Sequence, residues 1–109
     1  RILELEPLIG GIPVDGLPGW FHSDWFGYYN TDHAPWIFHA QHGFVFRFAE
    51  ATKENNYFYD HVMSAWWWTN PTLYPFTYRF ADGVWLWYQE GSSDPRWFFN
   101  LGTGGWESW

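Results

Sequence analysis

The sequence predicts an all-β domain, an antiparallel meander of consecutive aromatic-rich hairpins that is curved or closed in the manner of a barrel or sandwich. Three observations predict it. Eleven Trp, eleven Phe and seven Tyr stand against fifteen Leu, Ile and Val in 109 residues, and aromatics favour strands over helices. The rings come in short runs separated by Gly, Pro, Asn and Asp, the residues that make turns. No segment keeps a helical period over eleven positions.

At this length the chain forms one domain, which buries roughly two-thirds of its unfolded surface. Stacked and edge-to-face rings add about 0.5–1.5 kcal/mol per pair beyond the area they bury, so a core of rings needs no disulfides. The sequence holds no Cys, which leaves the redox compartment open.

Residues 1–18 differ from the rest. They carry eight of the fifteen Leu, Ile and Val residues, no aromatic, and Pro7, Pro13 and Pro18. Ile2-Leu3-Glu4-Leu5-Glu6 reads as a short strand that Pro7 and Gly10-Gly11 end. With a boundary at Leu17-Pro18-Gly19, residues 1–18 are an aliphatic arm or linker and residues 19–109 the aromatic domain. A start at Arg1, without Met or a signal sequence, reads as a processed or excised product.

Trp25-Phe26-Gly27-Tyr28-Tyr29 is the first aromatic run, and Asn30-Thr31-Asp32 stops it. Trp36-Ile37-Phe38 and Phe44-Val45-Phe46-Arg47-Phe48 form a hairpin in which Phe38 faces Phe44 and Trp36 faces Phe46. That register demands a loop of odd length, with Gly43 at a left-handed bulge position. Tyr57-Phe58-Tyr59 and Trp66-Trp67-Trp68 follow as another hairpin, with rings on both faces. In Phe76 to Gln89, Asp82-Gly83 reads as a two-residue turn, placing Tyr78 opposite Trp87 and Phe80 opposite Trp85. Trp97-Phe98-Phe99 and Trp106-Glu107-Ser108-Trp109 close the chain, giving about eight to ten strands in all. Gly43, Ala65, Gly83 and Gly105 recur at separations of 22, 18 and 22 residues, the mark of a hairpin repeat.

Gly19-Trp20, Trp25-Phe26-Gly27-Tyr28-Tyr29, Trp85-Leu86-Trp87-Tyr88 and Gly105-Trp106 resemble the Gly-Trp and Trp-Tyr-Tyr signatures of the choline-binding cell-wall repeats. Trp66-Trp67-Trp68-Thr69, Tyr74-Pro75-Phe76 and the Trp-rich end are similar to aromatic-rich modules that close large secreted bacterial proteins. That likeness covers residues 19–109. It implies a secreted or cell-surface location and carries over no activity.

A net charge of −7, with Lys53 the single Lys, argues against nucleic acid and anionic lipid as partners. No apolar run reaches the length of a membrane span, so no membrane insertion is expected. His33, His39 and His42 lie close in sequence, but without Cys or a carboxylate at ligand spacing they read as turn and surface residues rather than a metal site. Asp24, Asp32, Asp60 and Asp82 all sit beside turns, and no Ser has a nucleophile context. No catalytic residue and no cofactor is expected.

The alternation of side chains divides the rings. Phe76, Tyr78, Phe80, Trp85 and Trp87 share one face, taken as core, together with residues 57, 59, 66 and 68. Phe58, Trp67 and Tyr88, with Arg47 and Arg79, then fall on the opposite, exposed face, where ring faces and guanidinium forks suit sugars. The expected function is non-catalytic, extracellular recognition or attachment, with polysaccharide or a cell-surface glycan as partner. The alternative is a self-assembling surface or filament subunit, a homo-oligomer whose arm pairs with the next molecule's sheet edge.

Overall fold

The computed structural model describes residues 9–109, so the expected strand at Ile2 to Glu6 lies outside the described residues. Eleven strands follow one another: β1 (Gly11–Pro13), β2 (Trp20–Ser23), β3 (Gly27–Asn30), β4 (Trp36–His39), β5 (Gly43–Arg47), β6 (Asn56–Asp60), β7 (Ala65–Thr69), β8 (Phe76–Arg79), β9 (Val84–Tyr88), β10 (Trp97–Asn100) and β11 (Gly105–Ser108). They form a single antiparallel sheet in strict chain order, and β1 does not pair with β11. The meander therefore curves without closing into a barrel. β1 comes from the arm. Gly11 to Pro13 pair with Phe21 to Ser23, Ile9 is fully buried, and Ser23 donates its hydroxyl to the Ile9 carbonyl at 2.7 Å.

One local device makes the five tight hairpins. The last residue of each incoming strand is a buried polar side chain that turns back onto its own loop. Ser23 Oγ accepts the Phe26 amide, His39 Nδ1 accepts the Gln41 and His42 amides, and Asp60 Oδ1 accepts the Met63 amide. Asn100 Oδ1 accepts the Gly102 and Thr103 amides. At Arg79 the polarity is reversed, and the guanidinium donates to both carboxylate oxygens of Asp82 at 2.9 and 2.7 Å. Each buried polar group thus finds its partner within the turn it begins, which is what its burial requires.

The loops come in two lengths. After β2 and β4 they have three residues and are followed by Gly27 and Gly43 at positive φ, the bulge geometry expected at Gly43. Phe38 does face Phe44, and Trp36 faces Phe46. After β6, β8 and β10 the loops have four residues, and the amides of Ser64, Gly83 and Gly104 close onto the carbonyls of Asp60, Arg79 and Asn100. This corrects the register expected around Asp82-Gly83. Tyr78 pairs with Trp85 and Phe76 with Trp87, two residues away from the expected pairing. The Arg79–Asp82 fork draws Phe80 and Ala81 into the loop. An even shift keeps each side chain on its face, but it makes Val84, not Gly83, the counterpart of Gly43, Ala65 and Gly105.

The two faces are the reverse of the expected ones. The inner face of the sheet carries Ile37, Val45, Phe58, Trp67, Thr77, Leu86 and Phe98, each fully buried. Phe76, Phe80 and Trp85, taken as core, are 39, 49 and 37 % exposed, and Tyr78 and Trp87 are half-buried. The sheet curls around its inner side. Phe26 from the β2–β3 turn stacks on Phe58 at 5.1 Å and 9°, and Arg79 of β8 reaches Glu107 of β11 at 2.7 Å.

A polar chain runs through this core. Arg96, from the β9–β10 connection, makes a fully buried pair with Asp60 at 2.6 and 2.9 Å, and Asp60 also accepts the indole N–H of Trp67 at 3.0 Å. Arg96 further donates to His42 Nδ1 at 2.9 Å. Arginine only donates, so the His42 proton sits on Nε2 and goes to the Tyr74 hydroxyl at 2.8 Å. His39, beside it, donates from Nε2 to the Phe26 carbonyl. Loops from both halves of the sheet are tied together here.

Candidate functional site

The five residues expected to meet a ligand are brought together, on the inner side. Arg47, Phe58, Trp67 and Arg79 occupy one row across β5 to β8, and Tyr88 lies on the same face. Phe58 and Trp67 are fully buried, with ring centroids 5.2 Å apart, and Tyr88, Arg47 and Arg79 are 1, 6 and 7 % exposed. Their expected exposure is corrected. The physical reason is that the arginines are held by groups of the protein itself: Arg47 donates to the Ala51 carbonyl at 3.1 Å, and Arg79 is clamped between Asp82 and Glu107. A guanidinium with such partners can be buried, and its row can then serve as core.

What the sheet offers to solvent is the other face. Each of β4 to β10 has two outward positions, and all of them are aromatic. Neighbouring rings meet edge to face across the strands: Trp36 with Phe46 at 5.5 Å, Phe46 with Trp66 at 6.2 Å, Trp68 with Trp85 at 5.9 Å, and Phe99 with Trp106 at 5.3 Å. An antiparallel sheet ordinarily turns polar residues to water on its solvated side. The signal was in the sequence, since these rings hold every second place in runs whose remaining places carry Ile37, Val45 and Leu86.

Two grooves open between the outward rings. The first, about 320 Å³, is lined by His33, Trp36, Phe44 and His61, with the His33 and Phe44 rings steeply inclined at 65° and those of His61 and Trp36 perpendicular at 89°. It sets two imidazoles against two aromatic rings. The second, about 280 Å³, is lined by Phe48, Tyr57, Trp66 and Phe80 and presents only ring carbon. A smaller cleft of about 160 Å³ lies where the turns holding Trp25 and Gln41 meet the connections holding Tyr74 and Glu90.

The three clustered histidines part company. His33 is on the outer face, while His39 and His42 are buried in the polar chain, their rings 4.6 Å apart. Burial pushes the His39 pKa down to about 4 and that of His42 well below its ordinary value, the latter also under the charge of His39 and Arg96. Burial raises Tyr74. Among the described residues no three His, Asp or Glu side chains are grouped to hold a metal ion. Of the four turn aspartates, Asp60 and Asp82 are engaged by arginines and Asp32 by the Asn30 amide at 3.3 Å. Asp24 borders the small cleft. Comparison with family models, with curated proteins and with solved structures finds no match to this chain.

Proposed function

We propose that the domain is a non-catalytic recognition or attachment module of a secreted or cell-surface protein, and that it holds polysaccharide against its outer aromatic face. The observation that carries this reading is the unbroken aromatic character of the outward positions from β4 to β10. Contiguous exposed apolar surface on a protein marks an interaction site, and ring faces complement the C–H faces of sugars. The groove of His33, Trp36, Phe44 and His61 brings two imidazoles, side chains able to hydrogen-bond, among the rings. Charge narrows the partner. Arg47, Arg79 and Arg96 are buried, which leaves Lys53 as the exposed cation among the described residues, so polyanionic chains have little to bind.

Retention on insoluble polysaccharides, with a glycan array to identify the ligand, tests the reading. Trp36→Ala and Trp85→Ala are expected to keep the parent fold and to weaken binding by about 1–2 kcal/mol each. A parent domain that no glycan retains ends it.

The free outer edge of β11 favours the assembly reading as a second possibility. Gly105 to Ser108 pair with β10 on one side only among the described residues and include neither Pro nor Lys, the usual guards of an edge. Concentration-dependent oligomers in gel filtration, lost when Trp106 is replaced by Pro, would support it.

A further inference from the structure

Gln41 of the β4–β5 turn forms part of the wall of the small cleft, and this turn is held differently from its neighbours. At the β2–β3 and β10–β11 turns the loop amides go to Ser23 Oγ and Asn100 Oδ1, groups that do not titrate. Here the amides of Gln41 and His42 go to an imidazole lone pair, Nδ1 of His39. His42 then reaches inward, where its Nδ1 accepts from Arg96 at 2.9 Å and its Nε2 donates to the Tyr74 hydroxyl at 2.8 Å. Both rings are thus held neutral, each with its one lone pair in use.

A proton on either ring takes that lone pair. On His39 it removes the acceptor of both turn amides, and on His42 it sets an N–H and a positive charge against the Arg96 guanidinium, which only donates. Among the described residues, the charged and titratable groups packed about the two rings are Arg96, Asp60 behind it, Tyr74 and Tyr88. Asp60 already accepts twice from Arg96, once from the Trp67 indole and once from the Met63 amide, so it has no oxygen left for an imidazolium. Arg96 is fixed by Asp60 and by backbone hydrogen bonds with Trp109 in both directions. The part free to move is His42, in the three-residue loop between His39 and Gly43.

We propose that the β4–β5 turn is an acid-released latch on this cleft. Protonation of His39 and His42 frees the turn, and His42 leaves its place against Phe26, Trp67, Tyr88 and Phe98. The cleft then deepens toward those rings while the rest of the sheet stays paired. The direction follows from the two states of the turn. When it is closed, burial keeps the His39 pKa at about 4 and that of His42 well below 6.5. When it is open, both rings meet water and titrate near about 6.5. The latch therefore stays shut above about pH 6.5, and below it the open fraction rises by up to about tenfold per pH unit for each histidine.

Amide hydrogen exchange of the full chain from pH 7.5 to 4, corrected for the intrinsic rate at each pH, tests the latch. Protection of the Gln41 and His42 amides is expected to fall about tenfold or more per pH unit below about 6.5. The Gly102 and Thr103 amides, bound in the same way to Asn100, and those of the β6–β7 ladder should keep theirs. His39→Asn and His42→Asn each place an oxygen that takes no proton where Nδ1 stood, so each should reduce the slope and the two together should abolish it. A slope shared by turn and ladder amides means that the domain unfolds as a whole in acid, which overturns the inference. Turn protection that is constant with pH, or a slope that survives in the double variant, overturns it as well. Should the variants lose the fold, the ring nitrogen shifts of His39 and His42 in the parent decide. Protonation in step with the loss of turn protection supports the latch, and loss of protection while both rings stay neutral overturns it.

Discussion

Arg96 and Asp60, 36 residues apart in the chain, meet fully buried through two charge-assisted hydrogen bonds of 2.6 and 2.9 Å. The pair holds the β9–β10 connection against the β6–β7 turn. Removing one partner leaves the other charge without compensation in the interior, at a cost of about 3–5 kcal/mol. Arg96→Met is therefore expected to lower the melting temperature steeply or to prevent folding. A variant that melts like the parent would show that the pair is not holding the two halves together.

Stability should fall on mild acidification. The folded-state pKa of His39 is depressed to about 4 and that of His42 lies well below 6.5, so between those values and about 6.5 the unfolded chain binds more protons than the folded one. The histidine contribution is complete above about pH 6.5 and is lost as the pH falls toward 4. Glu107, held at about 2 chiefly by its hydrogen bonds to Arg79, adds a second loss between its ordinary 4.5 and 2. Thermal melts from pH 7.5 to 2 check both windows. His39→Asn should shrink the first by the His39 share and leave that of His42, because an Asn oxygen accepts two turn amides in the same manner at Asn100.

Two adjacent tryptophans should behave as opposites. Trp67 is fully buried and donates to Asp60, whereas Trp66 is 36 % exposed on the outer face. Trp67→Ala is expected to cost about 3–5 kcal/mol, and Trp66→Ala distinctly less, about 1–2 kcal/mol, because it is partly exposed but still touches Phe46, Phe48 and Tyr59. Denaturant melts of the two variants decide it, and equal losses would mean that both faces are core.

Gly83 sits at φ 66° with the Tyr78 hydroxyl 3.3 Å from where a Cβ would stand. A β-branched residue is strained at that φ, so Gly83→Val should destabilise by about 1–2 kcal/mol. Gly105, which is not at positive φ and has 3.7 Å to its nearest neighbour, should accept Ala with little change. Gly105→Ala is the control that carries neither the strain nor the close contact.

The alternation of side chains could be read from the residues, and so could the β4–β5 register, because Gly43 and an odd loop admit only a few pairings. Which face points inward could not be read by counting rings, since both faces carry them. The inner face is the one with Ile37, Val45, Leu86 and the strand-end residues Ser23, His39, Asp60, Arg79 and Asn100. Polar residues at such places look solvent-facing until their loop partners are known. Asp82-Gly83 misled for a related reason: its Asp is the partner of Arg79 and not half of a two-residue turn. The outer grooves join rings from non-adjacent strands, which no spacing within a single run reveals.

Of the eleven tryptophans, Trp67 alone is fully buried. The light this domain emits under ultraviolet excitation therefore comes mainly from indoles already in contact with water, so unfolding changes their surroundings less than it would in a protein with buried chromophores. Indole pairs such as Trp68–Trp85 and Trp87–Trp106, with centroids 5.9 and 6.2 Å apart, are close enough to couple their excited states and to give a paired signal in circular dichroism. That couplet belongs to the outer face. It will report on whatever settles there, while the quieter change at Trp67 reports on the fold beneath.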